Sequence, residues 1–322
     1  MRILIVASLN NKSHFAPFIQ EQAEALTRMG VEVNYYGVKG KGLKGYLGNF
    51  RSLQKAIREF RPDVIHAHYG MCGLLANLQR KTPVVTTYHG SDINTPKAFR
   101  WSRLSMILSK FNIVVSKAHY DNVCRGRKWL KRKSKLIPCG INLEDYPIVD
   151  KSTARIQMGL PSHQKLVLFT GAFDNKVKNY PLAREAVNLL NYKHPQHNAK
   201  LIELKGYSRN EVALLLNACD CLLMTSLSEG SPQIVKEAMA CGCPVVSVNV
   251  GDVAQSIVGT HGSALVNSRS PKELSFALAR VISANQRTNG REYIIQHKLT
   301  NDTIAKRLNR IYHRVCGITE FL

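Results

Sequence analysis

Residues 221–248 constrain the fold of this 322-residue chain more than any other stretch. An apolar run at each end has the length of a buried strand. Between the runs we predict a short helix, with Ser231 as its N-cap, Pro232 at its first position and Gly242 just past its end. Strand, tight turn, helix and strand in succession are typical of a parallel α/β sheet.

The turn before this helix is expected to attract an anion. The N–H groups of Gly230, Ser231 and Gln233 gather at the helix start, where the helix dipole favours negative charge. Glu229 precedes the turn, and the side chain of Glu237 leans back toward it from the helix. Amide groups bind phosphate and carboxylates accept hydrogen bonds from sugar hydroxyls, so the pattern indicates a sugar–phosphate ligand.

The rest of the chain indicates two doubly wound halves. A strand, an amphipathic helix and a second strand follow one another over residues 2–36, and the pattern restarts with a strand over residues 166–171. The polar residues 142–153 are the candidate hinge. We expect Rossmann-like domains over residues 1–150 and 151–322, with a ligand cleft between them. The last helix is a candidate to pack back on the N-terminal domain.

Further candidate residues lie where predicted strands end, which is where open α/β sheets bind ligands. His89 follows one such strand, with a structural histidine as the alternative interpretation. Gly171 ends another strand, and Lys176 and Lys178 stand in the loop that leads to the next helix, where lysines suit a diphosphate. Tyr207 follows a third strand and could clamp a planar base.

Charge predicts an anionic partner. The net charge is +23, and residues 97–135 are the most basic stretch, with Trp101 and Trp129 among the cations. Cations interleaved with Trp and Leu favour a helix lying on an anionic membrane surface, over a solvated face and over RNA. We therefore expect no nucleic-acid partner. Residues 39–45 are interpreted as a flexible basic loop.

The apolar runs and cysteines suggest the compartment. No apolar run approaches the ~20 residues of a membrane-spanning helix, and the apolar N-terminus is too short for a signal sequence. Eight cysteines lack the spacing of a disulfide framework. The pairs Cys219/Cys221 and Cys241/Cys243 are interpreted as buried thiols, with a zinc site as the less favoured alternative. We expect a cytoplasmic protein, peripheral on the inner face of the cytoplasmic membrane.

Together these motifs resemble glycosyltransferase family 4, which comprises retaining nucleotide-sugar transferases of the GT-B fold. The most specific motif is Glu229-x7-Glu237 followed by Ala-Met-Ala-x-Gly-x-Pro-Val-Val. Four more motifs fall in the family order: Ile65-His-Ala-His-Tyr69, Thr87-Tyr-His-Gly-Ser-Asp92, Ile137-Pro-Cys-Gly-Ile-Asn142 and Val250-Gly-Asp252.

The resemblance implies roles for these residues. Glu229 and the amides of residues 230–233 would hold the donor sugar and diphosphate, and Glu237 would bind the ribose. Lys178 would stabilise the leaving diphosphate, and His89 would reach the sugar near the reacting carbon. The resemblance also implies retention of anomeric configuration, with no metal and no other cofactor. The acceptor would be a glycan or a lipid-linked glycan of surface polysaccharide or lipopolysaccharide type.

Two departures from the family pattern stand out. Gly171-Ala172-Phe173 lacks the arginine that many members place after this glycine, so Lys176 or another cation would replace it. Ser8-Leu-Asn-Asn-Lys12 stands where a Gly-rich loop is usual, which leaves the acceptor side least defined.

Two alternative functions stay open. One is a GT-B epimerase of sugar nucleotides, or a phosphorylase, for which no lysine motif that carries pyridoxal is apparent. The other is a non-catalytic basic module that binds anionic lipid or RNA. The sequence does not identify the donor sugar, the base or the linkage.

Overall fold

The structure of the protein, a computed structural model, describes residues 1–9 and 14–318. The chain forms two compact units, one of Met1–Gly140 with Asn301–Leu322 and one of Ile141–Thr300. The division at residue 140 precedes the boundary predicted at residue 150, and the last helix belongs to the first unit. Asn10, Asn11 and Lys12, where the Gly-rich loop would be, lie outside the described residues.

The first unit is built on a parallel sheet of six strands. Its strands are β1 (Arg2–Ser8), β2 (Glu32–Val38), β3 (Val64–His68), β4 (Val84–Tyr88), β5 (Phe111–Val114) and β6 (Ser134–Leu136). Their order is β2-β1-β3-β4-β5-β6, so the direction of winding reverses between β1 and β3. Ile3 lies opposite Glu32's neighbour Val33 on one side and Val64 on the other, which sets the register.

Helices cover both faces of this sheet. They are α1 (Pro17–Arg28), α2 (Gly42–Leu47), α3 (Phe50–Phe60), α4 (Gly70–Asn77), α5 (Pro96–Leu108), α6 (Lys117–Cys124), α7 (Lys128–Arg132) and the last helix of the chain, α15 (Asn301–Cys316). Alternate residues of β1 enter different cores: Ile3 and Ile5 pack with α1 and α15, whereas Leu4 and Val6 pack with α3 and α4. Burial on both faces explains why the strand reads as a continuous apolar run.

The second unit has a parallel sheet of five strands. Its elements are α8 (Lys151–Gln157), β7 (Leu166–Phe169), α9 (Tyr180–Lys193), β8 (Lys200–Ile202), α10 (Arg209–Ala218), β9 (Cys221–Met224), α11 (Gln233–Ala240), β10 (Val245–Val248), α12 (Val253–Ile257), β11 (Ala264–Val266), α13 (Pro271–Ala284) and α14 (Gly290–Gln296). The strand order is β11-β10-β9-β7-β8, so the winding reverses between β7 and β9. Two doubly wound α/β units are the predicted fold class, which the structure confirms.

The helix of the central motif begins later than predicted. Helix α11 starts at Gln233, and Pro232 takes the N-cap position without a side-chain cap. The Ser231 hydroxyl instead accepts a hydrogen bond from Lys236, so the prediction of Ser231 as the N-cap was wrong. The predicted helix end is confirmed: Gly242 has φ +68°, and the N–H groups of residues 242 and 243 bond back to the last turn.

The segment predicted as a flexible basic loop is partly helical. Helix α2 begins at Gly42, inside the loop predicted over residues 39–45. The side-chain amide of Asn49 donates to the carbonyls of Lys39 and Gly45, both at 2.7 Å. One amide therefore joins the two ends of the segment, a contact that composition alone does not reveal.

The two predicted thiol pairs are buried in the second unit. Cys219, Cys221, Cys241 and Cys243 are inaccessible to solvent, and burial raises the pKa of the Cys243 thiol to about 11. Within residues 1–9 and 14–318, no group of three His, Cys, Asp or Glu side chains could hold a metal ion. The helices described there include none that is long and apolar enough to cross a membrane.

Candidate functional site

The predicted donor residues of the second unit lie at the carboxyl ends of β7 and β9. The sheet reverses its winding between these two strands, which opens a ligand site in folds of this kind. The segments that follow the two strands are fastened together: Leu227 N–H donates to the Val177 carbonyl at 2.8 Å, and the Thr225 hydroxyl donates to the Lys178 carbonyl at 2.9 Å.

Lys178 and Glu229 form an ion pair at this point. Lys178 Nζ lies 2.8 Å from Glu229 Oε1, and the two side chains are only 19% and 15% exposed. Partial burial weakens screening by water, so the pair is stronger than one on the open surface. A Cβ on Gly171 would lie 3.1 Å from Lys178 Cγ, so the glycine leaves room for the lysine stem. The structure therefore brings together Gly171, Lys178 and Glu229.

A glycine also shapes the turn that follows Glu229. The Gly230 carbonyl accepts a hydrogen bond from Asp252 N–H at 3.1 Å. Gly251 has φ +59°, and a Cβ there would lie 2.6 Å from the Gly230 oxygen. Only glycine permits this close approach of the two backbones. The Val-Gly-Asp motif thus supports the turn that carries Glu229.

Lys236 is a buried cation that the sequence reasoning missed. Its residue is 2% exposed, and Nζ donates to Ser231 Oγ at 2.8 Å and to Gln233 Oε1 at 3.1 Å. Because the Ser231 oxygen accepts from the lysine, its own hydrogen is oriented to donate elsewhere. The signal was present in the sequence, since Lys236 is the one cation in the run Gln233–Ala240.

The remaining predicted donor residues differ in their positions. Glu237 is partly buried in the middle of α11. Lys176 starts the 3-10 turn Lys176–Lys178 and is exposed. Tyr207 is exposed beside the start of α10. Arg209, considered together with Tyr207 as a clamp for the base, forms an ion pair with Asp145 at 2.9 Å.

The position of the missing family arginine is occupied by an aromatic cluster. The Phe173 ring stacks on Tyr180 with centroids 4.0 Å apart, and Phe173 N–H donates to Glu203. Arg269 is the second cation that sequence reasoning missed at this edge of the sheet. Its guanidinium donates to the Leu227 carbonyl at 3.1 Å, next to the segment that carries Glu229.

In the first unit, His89 lies just after β4 and is held on several sides. Its Nε2 lies 3.0 Å from His68 Nδ1, and its Nδ1 lies 3.6 Å from Cys139 Sγ. The His68 and His89 rings stack at 16°, and the rings of Phe18 and Tyr69 pack against His89. The ring of His89 is therefore fixed in orientation by residues of its own unit.

Asp92 organises the backbone beside His89. Its carboxylate accepts hydrogen bonds from the N–H groups of Gly70, His89 and Gly90, each at 3.0 Å. Burial raises the pKa of Asp92 to about 6, although these bonds favour the charged form. The carboxylate thus ties the turn after β4 to the start of α4.

Two further histidines continue the cluster into the core. Burial lowers the pKa of His66 to about 3 and that of His68 well below its ordinary value. His66 bonds to Tyr312 and Thr87, so it is a satisfied core residue. His68 has no partner for its buried Nε2 within the described residues. His68 is therefore the neighbour that sets the tautomer of His89.

Two family descriptions match the chain. "Glycosyltransferase Family 4" matches residues 16–145, and "Glycosyl transferases group 1" matches residues 185–284. Among curated relatives, TuaC of Bacillus subtilis, whose name assigns it to teichuronic acid biosynthesis, is 26% identical. That match covers 69% of this chain and 62% of TuaC, so the chain spans less than two thirds of it. The D-inositol 3-phosphate glycosyltransferase of Corynebacterium urealyticum is 23% identical over 80% of this chain and 73% of its own.

Solved structures share the fold. Sucrose-phosphate synthase from Thermosynechococcus elongatus has a TM-score of 0.79 at 17% identity, over 99% of this chain and 100% of its own. Anabaena HepE, in complex with UDP, has a TM-score of 0.73 at 18% identity, over 98% of this chain and 100% of its own.

Proposed function

The chain belongs to glycosyltransferase family 4 and has the GT-B fold, and from this premise we propose that it transfers a sugar from a nucleotide-diphosphate sugar to a glycan or lipid-linked acceptor. The Lys178–Glu229 ion pair carries this proposal, because it places a cation and a carboxylate together at the switch point of the second unit. HepE, which has been solved with UDP and with UDP-glucose, supports the class of donor.

We propose that the donor occupies the carboxyl edge of β7 and β9. Lys178 and the N–H groups at the start of α11 bind the diphosphate, and Glu229 accepts hydrogen bonds from the sugar hydroxyls. Glu237 binds the ribose. Lys176 and Tyr207 are exposed beside this edge and complete the diphosphate and base contacts.

In the proposed reaction, an acceptor hydroxyl attacks the anomeric carbon as the bond from that carbon to the diphosphate oxygen breaks. The acceptor proton passes to the departing phosphate, and attack on the same face retains configuration. Lys178 stabilises the negative charge that develops on the leaving group, which is electrostatic catalysis by a preorganised cation. Side-chain cations supply this charge, so the proposal includes no metal and no other cofactor.

His89 is proposed to contact the transferred sugar from the first unit. Its fixed ring needs no reorganisation when substrate binds, since His68, Cys139 and the surrounding aromatic rings already hold it. TuaC and its biosynthetic name support an acceptor of the surface-polysaccharide class. A cytoplasmic location on the inner membrane face accompanies this acceptor.

Binding of a nucleoside diphosphate tests the proposed donor directly. We expect one member of a UDP, GDP and ADP panel to raise the melting temperature, since a ligand at 100 times its Kd stabilises by about 2.7 kcal/mol. For a unit of this size that is a shift of roughly 5–10 °C. The matching nucleoside is the control, and no shift with any diphosphate would refute the donor assignment. Product analysis with the matching sugar nucleotide then separates transfer from epimerisation.

Lys236→Met is expected to weaken diphosphate binding by roughly tenfold. Methionine keeps the length of the side chain but removes the buried charge and the hydrogen bonds to Ser231 and Gln233. Isothermal titration with the nucleoside diphosphate and with the nucleoside measures the change, and the nucleoside affinity should stay the same. Lys193→Met, at an exposed lysine of α9, is the control. Equal loss for both ligands would show that Lys236 only maintains the loop.

A further inference from the structure

We propose that one surface of the first unit docks onto a bilayer that contains anionic phospholipids. This docking surface consists of the exposed face of α5, the helix α7 with Trp129, and a cavity lined by parts of residues 79–84 and 107–110. It is separate from the proposed sugar-transfer site, and its test does not depend on transfer activity.

Helix α5 presents its large apolar residues to solvent. Ile107 is 47% exposed and Leu108 37% exposed, whereas Ser102 and Ser105 are buried. The reason is the close approach of α4, because a Cβ on Gly70 would lie 2.0 Å from Ser102 Oγ. Two helices that meet through small residues leave the large residues on the outside. The apolar stripe of α5 is therefore available to an apolar partner.

The docking surface is strongly cationic. Lys97, Arg100 and Arg103 are exposed on the same side of α5 as Ile107. The segments 78–82, 97–110 and 125–135 together contain 13 Lys or Arg and no Asp or Glu. Cations beside an apolar stripe match the anionic headgroups and acyl chains of a bilayer, respectively.

A cavity of about 790 Å³ lies at the amino ends of β3, β4 and β5. Arg80, Lys81 and Lys110 line it, and Ile107 and Leu108 form part of its wall. Across the described parts of the chain, no carboxylate forms an ion pair with these three cations. The volume and the charge suit the phosphate of one lipid headgroup, with acyl chains against the apolar wall.

Lys133 joins the cavity to Trp129. Its Nζ donates to the Ile107 carbonyl at 2.7 Å and lies 5.5 Å from the centre of the Trp129 ring. Trp129 is exposed, and tryptophan is enriched at membrane–water interfaces. The cavity, the apolar stripe and the indole therefore form one continuous surface.

The apolar component distinguishes a bilayer from RNA. RNA would be bound through the cations, and its bases would stack on aromatic rings rather than on Ile107 and Leu108. Helix α5 is about 20 Å long and begins shortly after His89, so docking along it keeps the carboxyl end of β4 close to the bilayer. If the proposed function holds, a lipid-linked acceptor would be within reach there.

Vesicle sedimentation tests the proposal with two vesicle compositions, phosphatidylcholine alone and phosphatidylcholine with 30% phosphatidylglycerol. We expect the full chain to bind only the second strongly. Ile107→Gln with Leu108→Gln should lower the partition coefficient roughly tenfold or more, because it removes the apolar contact. Phe276→Gln, at an exposed residue of α13, is the matched control and should bind like the wild type.

A charge variant tests the cavity. Arg80→Gln, Lys81→Gln and Lys110→Gln together should lower binding by on the order of 100-fold, since each cation near an anionic surface contributes roughly fivefold. Lys193→Gln, Lys272→Gln and Arg280→Gln remove three exposed cations from the second unit and should have a small effect. All these positions but Leu108, Ile107 and Phe276 are charged surface residues, and unchanged circular dichroism confirms folding of every variant.

Several results would overturn the proposal. One is wild-type protein that fails to bind vesicles with phosphatidylglycerol. Another is equal loss in the two charge variants, which would indicate attraction by net charge alone. A third is binding that survives the apolar variant while polyuridylate competes for the protein, which would indicate an RNA-binding surface.

Discussion

Lys178→Met is expected to lower kcat by about 100- to 1000-fold, the usual loss when one preorganised charge at a developing anion is removed. The lysine lies against Glu229 and over Gly171, so its ammonium group is already positioned before substrate binds. Steady-state kinetics with the nucleotide sugar found in the binding screen measures the loss. The effect should appear mainly in kcat, because the charge to be stabilised develops in the transition state.

Glu229→Gln and His89→Ala belong to the same experiment. Both are expected to abolish transfer while the protein stays folded. Asp174→Asn is the matched control, because Asp174 forms an ion pair with Lys205 that is open to solvent. Full activity in both Glu229→Gln and His89→Ala would disprove the proposed site.

Asp220→Ala is expected to destabilise the second unit by about 3–5 kcal/mol, the range for removing one partner of a buried ion pair. The Asp220 carboxylate bonds to Lys151 and to Leu166 N–H, and lies 3.0 Å from the guanidinium of Arg155. Arg155 is itself buried, so the variant leaves an uncompensated charge in the interior. Thermal unfolding should show a melting temperature lower by about 10 °C. Asp174→Ala, at an exposed pair, should change it little.

The same carboxylate gives a pH dependence. Burial would raise the pKa of Asp220, but the bonds from Lys151 and Leu166 N–H outweigh burial and hold the pKa below its ordinary value. A depressed pKa in the folded state adds stability above the unfolded pKa of about 3.9, and this stability is lost as the pH falls through the folded value. The stability difference between the wild type and Asp220→Ala should therefore shrink below about pH 4. A difference that is constant from pH 7 to pH 3 would contradict this assignment.

Local signals predicted the elements of the central motif correctly. The strand β9, the helix α11 and its end at Gly242 were predicted from apolar runs, proline and glycine, whose effects act over a few residues. The N-cap failed because two interactions compete for the Ser231 hydroxyl, and Lys236 binds it in the folded state. Propensity records which interaction is common and does not decide between them.

The cations at the candidate site show the same limit at longer range. The sequence marked Lys178 as a diphosphate ligand and Glu229 as a sugar ligand, but it did not predict that they pair with each other. They are 51 residues apart, and the order of strands in the sheet brings them together. Arg269 was not predicted because its contact with the Leu227 carbonyl follows from the same strand order.

Helix α5 separates the two kinds of information most clearly. Its sequence determined an amphipathic helix with cations and an apolar stripe, because a period of 3.6 residues assigns side chains to faces. The sequence by itself likewise determined two doubly wound α/β halves and the strand ends that carry the candidate residues. Which face of α5 is buried was decided only by the tertiary structure. Gly70 and Gly73 of α4 admit the serines of α5 at a distance that no larger side chain allows, so the apolar stripe faces solvent.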